Sequence, residues 1–350
     1  MESVPESFAT THAVGVGDAR SLPLPDDSVE LVVTSPPYPM IEQWDDLFAD
    51  LDPDVAAALD AGDGDDAFDL MHEALAPAWD ELSRVLVDGG VACVNVGDAT
   101  RSIGGRFRLY PNHARMSEAL RDRGLDQLPG VLWRKPTNAP TKFMGSGTLP
   151  PNAYVTLEHE HVMVFRNGDG RRFDPGDPDR YGAAYFWEER NRWFSEAWEG
   201  LRGEGQRLGD DAPRDRAAAF PVELPYRLLN MYSVYGDTVL DPFWGTGTTT
   251  LAAMAAGRNS VGVERDPGFA ADFEDRLADL PERSRDRARG RLRDHRAFLA
   301  DRDEPAGYDH EHYGFGVVTK RERRLRVVAA DDVDRITGGY RAHHSVVDPE

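Results

Sequence analysis

The sequence predicts an α/β fold built on a doubly wound, largely parallel sheet, and three observations carry that prediction. Short apolar strands alternate with helix-like segments from residue 13 to about residue 166. Residues 237–266 then give strand, glycine turn, helix and a strand ending in an acid. At 350 residues the chain can hold one large α/β domain with insertions, or two smaller ones.

Taken in order, Ala13-Val14-Gly15-Val16 reads as the first strand and runs into the turn Gly17-Asp18. A Pro- and Asp-rich turn leads to the apolar strand VELVV at residues 29–33. A helix over about 69–86 continues through Asp88-Gly89-Gly90 into the strand VACVNV. A second helix over 112–123 precedes Val131-Leu132-Trp133, and residues 159–165 read as a further strand. Residues 167–218 lose this periodicity and turn to Arg, Gly, Asp and aromatics. Within them FWEERNRWFSEAW carries three tryptophans and two phenylalanines, which suits either a satellite core or a substrate-reading insertion. Residues 272–350 are charged, and the seven arginines over 283–296 predict a solvated helix with internal ion pairs.

The VELVV strand ends in Thr34-Ser35-Pro36-Pro37-Tyr38. Proline fixes φ, has no N–H and holds the preceding residue extended, so Ser35 and Pro36 are both stiff. The corner offers acceptors, the Ser35 hydroxyl and the Ser35 and Pro36 carbonyls, and hardly any backbone donor. It suits a ligand that is itself a donor, such as an exocyclic amino group; the plainer alternative is a rigid turn with a surface tyrosine.

The second motif is DPFWGTGTT, from Asp241. Gly245 and Gly247 allow a tight turn against a ligand, Thr248 opens a helix whose free N–H groups can bind an anion, and Glu264 ends the next strand where ribose hydroxyls would lie. The loop lacks the GK[ST] of an ATPase and the third glycine of a dinucleotide site. A nucleoside carrying a carboxylate and an ammonium remains, and S-adenosylmethionine fits.

Composition sets the environment. The formal charge is -22, no Lys or Arg occurs between Arg20 and Arg84, and only three lysines (Lys135, Lys142, Lys320) stand against 37 arginines. Such an acidic, lysine-poor surface resembles that of proteins from extreme halophiles, where a Debye length of about 3 Å at molar salt screens repulsion from phosphates. The single cysteine, Cys93, sits in an apolar strand, so no disulfide framework or thiolate metal site is expected. No membrane-length apolar stretch and no signal peptide is present, and the cytoplasm is the expected location.

TSPPY upstream and DPFWGTGTT downstream resemble the paired motifs of amino-methyltransferases acting on DNA, in the β-group order with the catalytic half first. The resemblance runs over about residues 15–267. It takes in GDA at Gly17, DGGVACVNVGD, VLWRKP, EHEHVMVF and AAFPVELP. It implies a Rossmann-like, S-adenosylmethionine-dependent methyltransferase, permuted so that residues 1–166 form the catalytic half and 219–271 the cofactor half. Residues 167–218 fall where the target-recognition region lies, and 272–350 form a charged C-terminal extension. By position, Ser35, Pro36, Pro37 and Tyr38 form the catalytic corner. Asp241, Phe243, Gly245, Gly247, Thr248 and Glu264 line the cofactor site, and Asp18 resembles the acid that binds the adenine amino group.

The implied partner is double-stranded DNA with its target base flipped into a pocket, together with a possible cognate restriction endonuclease. Tyr38 would stack on the base while Ser35 and Pro36 accept from its amino group. Ser35 at the first position is typical of family members acting on cytosine N4; those acting on adenine N6 usually carry Asp or Asn, and N6 stays the alternative. The recognition site is at most a guess, a short palindrome such as CTAG. Carbon-5 chemistry lacks a suitably placed thiol, and zinc deamination lacks its paired cysteines. His159 and His161 share a strand face, but no third ligand is apparent and no metal is expected. An RNA amino-methyltransferase would usually place the cofactor motif first. A non-catalytic DNA-binding module would not need both motifs intact.

Overall fold

Val29, Leu31, Val32 and Val33 are apolar because their strand has a neighbour on each edge and helices on each face. The computed structural model describes residues 6–135, 145–201 and 220–349. Its strands are β1 (Ser7–Val16), β2 (Val29–Thr34), β3 (Leu86–Val96), β4 (Ala99–Ile103), β5 (Arg106–Tyr110), β6 (Leu125–Arg134) and β7 (His159–Asn167). They continue with β8 (Ala197–Trp198), β9 (Thr238–Asp241), β10 (Asn259–Glu264), β11 (Tyr308–Asp309), β12 (Gly316–Val317), β13 (Val328–Ile336) and β14 (Gly339–Val346).

Ten of these strands form one sheet in the order β13-β14-β1-β10-β9-β2-β3-β7-β6-β8. The run from β1 to β3 is parallel throughout, as the alternation of strands and helices predicts. Outside it the sheet is mixed: β7 is antiparallel to β3 and to β6, and β14 to β1 and β13. The doubly wound centre is therefore extended by antiparallel strands at both edges. Between Val29 and Leu31 the β2–β3 register shifts, and Asp88-Gly89-Gly90, expected to link helix and strand, lies inside β3 at that bulge with Gly89 at φ 76°.

The two faces follow the strand alternation. Leu31, Val33 and Cys93 join the core that includes helices Glu223–Tyr232 and Thr248–Ala256. Val32, Ala92 and Val94 face helices Gly64–Val85 and Asn112–Asp122. Helix Gly64–Val85 buries Ala67, Met71, Leu75, Ala78, Trp79, Leu82 and Val85, a stripe with a spacing of three and four, and Asp63 caps it by accepting from the Asp66 N–H at 3.1 Å.

Residues 272–350 are no solvated appendage. Helix Leu280–Ala300 buries Leu280, Ser284, Ala288, Arg291, Leu292 and His295, and β13 and β14 complete one edge of the main sheet. The expected solvated helix fails because an inward arginine meets its own counter-ion. Arg291 donates to both oxygens of buried Glu189 at 2.6 and 2.8 Å. Phe186 packs with Ala288, Leu292, Tyr313 and Val327, and Trp193 and Trp198 are fully buried. The aromatics at 186–198 are thus largely core. Residues 202–218 of that segment, and Pro136 of VLWRKP, lie outside the described residues.

Candidate active site

The two motifs stand far apart in the sequence but end on neighbouring strands. β2 pairs with β9 through Leu31–Val239 and Val32–Leu240, so the SPPY corner and the DPFWG loop leave the same end of the sheet side by side. Thr34 Oγ1 donates to Asp241 Oδ1 at 2.7 Å, and Thr249 Oγ1 donates to the Val33 carbonyl at 3.2 Å. Ligands in such sheets sit in the crevice beyond the carboxyl ends of the strands. A cavity of 670 Å³ occupies that place.

Its wall takes in Asp18, Ser35, Pro36, Pro37, Tyr38, Asp241, Phe243, Gly245, Thr248 and Glu264. Of the residues predicted for the site, only Gly247 is not on this wall. A Cβ there would lie 2.3 Å from Phe273 and 2.7 Å from Trp244, and its φ of 73° closes the turn ahead of helix Thr248–Ala256. Gly247 therefore shapes the loop from behind. Gly245, at φ 51°, would send a Cβ into open space with Phe243 O, at 3.9 Å, as the nearest atom. Trp44, Leu47, Leu51, Leu75, Phe220 and Phe269 supply apolar walls, and of these only Phe220 falls in a quoted motif, AAFPVELP.

Electrostatics divide the cavity. Glu264 accepts from the Gly245 N–H at 2.7 Å and from the Asp266 N–H at 3.0 Å, so its carboxylate is braced by the glycine loop. Arg20 grips Asp18 through Nε at 3.0 Å and Nη2 at 2.8 Å, and holds its carboxyl below the usual range. Asp241 differs: burial raises its pKa from 3.8 to about 6, against the opposing hydrogen bonds from Thr34 and the Phe243 N–H. Folding thus favours protonated Asp241; that stabilisation is complete below 3.8 and is lost as pH rises through about 6. Asp241→Asn, which carries no charge, is expected to gain about 2.4 kcal/mol on the wild type between pH 4 and pH 7.5. Denaturant unfolding across that range checks it, and a gap that stays flat with pH would contradict the burial argument.

Behind the SPPY corner lies a network that the motifs alone did not reveal. The Tyr38 hydroxyl is 2.8 Å from Ser35 Oγ, 2.9 Å from Asn95 Nδ2 and 3.1 Å from Glu160 Oε2. Asn95 Nδ2 also donates to Glu160 Oε2, and Lys135 Nζ to Glu160 Oε1, both at 2.6 Å. The Tyr38 ring packs beside Gly97, where a Cβ would sit 3.2 Å from Cε2. Cys93 is buried and its thiol is pushed up by burial, which leaves it unfit as a nucleophile.

Asp98, His113 and His161 also come together, a cluster that takes in His161 and not His159. His113 Nδ1 bonds both Asp98 oxygens at 2.8 Å, and its ring stacks on His161 with centroids 4.0 Å apart and planes at 14°. An ion between parallel rings would lie out of both ring planes, where the nitrogen lone pairs do not point. The geometry is that of a carboxylate–imidazole pair with a second imidazole stacked on it.

The sequence profile of the N6/N4 DNA methylase family matches residues 29–275. The chain belongs to that family. Within the N6/N4 methylases, the chain is 49% identical over 322 residues to the type II methyltransferase M.MthZI of Methanothermobacter thermautotrophicus, covering 91% of this chain and 90% of that one. A Thermus thermophilus protein, described as a candidate DNA modification methylase and solved with S-adenosyl-L-methionine, superposes with a TM-score of 0.60 at 31% identity. That match covers 77% of this chain and 94% of the other. The cytosine-N4-specific PvuII DNA methyltransferase superposes at 0.52 with 16% identity, covering 79% and 93%, and so shares the fold.

Proposed function

We propose that this DNA methyltransferase is site-specific and acts on the exocyclic N4 of cytosine in duplex DNA. The observation that carries the reading is the single cavity joining Glu264 and Gly245 to Ser35 and Tyr38. The cofactor is S-adenosylmethionine, and the residues fit it: Gly245 leaves a cradle that a Cβ would fill, and Glu264 is braced to accept from ribose hydroxyls. Asp18 accepts from the adenine amino group, with Phe243 and Phe269 as apolar walls. Held there by Asp18, Glu264 and the Gly245 loop, the cofactor would supply an electrophilic sulfonium methyl to the base nitrogen.

The protein's own part is positioning. A paired base cannot present its amino group, so the target base must be flipped into the cavity beside Tyr38. Ser35 Oγ and the Pro36 carbonyl then accept its two N–H bonds and turn the lone pair toward the methyl. Ser35, a small acceptor, favours cytosine. Base reading by residues 167–218 falls to exposed arginines such as Arg190 and Arg192, because Phe186, Trp193 and Trp198 are buried in the core.

The name of the M.MthZI relative supports site-specific modification, with a cognate restriction endonuclease as the partner to seek. Among the described residues no helix is long and apolar enough to cross a membrane, and the proposed location is a cytoplasm of high salt. Methylated duplex DNA digested to nucleosides and separated by mass should yield N4-methylcytosine as the main product. A dominant N6-methyladenine peak would move the target to adenine and leave the fold and cofactor standing.

A further inference from the structure

Three groups meet the Tyr38 hydroxyl, yet it has one proton to give. Asn95 Nδ2 can only donate, so it takes one lone pair of the phenol oxygen at 2.9 Å. The Glu160 carboxylate, paired with Lys135 at 2.6 Å, can only accept, so the phenol proton goes to Oε2 at 3.1 Å. The remaining contact, Ser35 Oγ at 2.8 Å, then closes only if Ser35 donates its own proton to Tyr38. We propose that Glu160, acting through Tyr38, fixes the direction of these hydrogen bonds so that Ser35 turns only acceptor lone pairs toward the amino group of the base.

This rests on the amino-methyltransferase reading and adds positioning residues to it. Were the Tyr38 proton given to Ser35 instead, the phenol oxygen would face the carboxylate with no proton between them. The Ser35 hydroxyl would be free to point its own proton at the incoming N–H. Burial, with the Glu160 charge beside it, pushes the Tyr38 phenol pKa well above its ordinary value, so the proton stays available to donate. Among the described residues Asn95 Oδ1 finds no hydrogen-bond partner, so the amide is held in this orientation by what its nitrogen meets, the Glu160 carboxylate.

Glu160→Gln tests the polarity. Lys135 would hold the amide oxygen at the Oε1 position, which leaves the NH₂ facing Tyr38. That group donates to the phenol oxygen and drives the Tyr38 proton onto Ser35. Single-turnover transfer of tritiated methyl to genomic DNA from a methylation-deficient host should fall about ten- to a hundredfold, the scale of one misplaced active-site hydrogen bond. S-adenosylmethionine affinity, read by calorimetry, should hold. Tyr38→Phe should cost less, because Ser35 is then free to accept.

The deciding variant is the double substitution. Without the phenol the Gln has no route to Ser35, so Glu160→Gln/Tyr38→Phe should recover to the Tyr38→Phe rate. A double variant as slow as Glu160→Gln, or slower, overturns the proposal, since loss of mere structural support would not be suppressed. Neutron diffraction of the wild-type protein reads the same point without turnover. A Ser35 deuteron aimed at Tyr38 supports the inference, and a Tyr38 deuteron aimed at Ser35 overturns it. Absence of any methyl transfer by the wild type would instead remove the functional reading and leave the polarity to the neutron result.

Discussion

Gly245→Val is expected to abolish S-adenosylmethionine binding, while Ser35→Ala should leave that binding intact and slow methyl transfer ~10- to 1000-fold, the scale of a lost positioning contact. The two substitutions act on neighbouring strands but on different ligands. At Gly245 the backbone has φ 51°, which a β-branched residue adopts only under strain. The added side chain would also project into the cavity, because no protein atom is nearer than 3.9 Å to the Cβ position. Displacing the loop would in turn move the Gly245 N–H away from Glu264, now 2.7 Å distant. Ser35 stands on β2's side of the cavity, where removing its oxygen empties an acceptor position and leaves Glu264 and Asp18 undisturbed. Calorimetry with S-adenosylmethionine and a transfer assay separate the outcomes. If Ser35→Ala lost the cofactor while Gly245→Val kept it, the two halves of the site would have to be exchanged.

What could be read from the sequence was whatever constrains the backbone. Two prolines after an apolar strand, and two glycines before a helix, each permit few conformations, so the SPPY corner and the glycine loop stand out from residue order alone. Their adjacency depends on the strand order, in which β9 inserts beside β2, and local pattern does not encode that. Glu160 does not stand out in this way because it constrains no backbone turn and meets the SPPY corner only through Tyr38. Its one signal is phase: Glu160 shares a strand face with Val162 and Val164, and a buried acid among apolar positions asks for a partner. The arginine-rich helix misled for the complementary reason. Charge spacing predicts a wet surface, whereas Arg291 is buried with Glu189, a partner 102 residues away that no local pattern reveals.

Folding and methyl transfer should both require molar salt, with activity falling about tenfold or more when KCl is lowered from 1 M to 0.1 M, as the Debye length grows from near 3 Å to about 10 Å. The chain carries 62 acidic against 40 basic residues, and much of its arginine is already committed to close ion pairs. Arg84 meets Asp26 and Glu81, Arg101 meets Asp45, Arg123 meets Asp80 and Arg171 meets Asp237, all within 2.7 Å. The surplus of carboxylates over bases therefore cannot be neutralised within the chain, and in dilute buffer those carboxylates repel one another and the DNA alike. Added salt ordinarily weakens protein–DNA complexes through lost counterion release. Here that loss is opposed by relief of repulsion between an acidic protein and its polyanionic substrate, so affinity should fall with salt less steeply than for a basic enzyme. Circular dichroism, filter binding and tritium transfer along one salt series read the three effects separately. Full activity in dilute buffer, with loss above physiological salt, would show that the acidic surface is not an adaptation to salt.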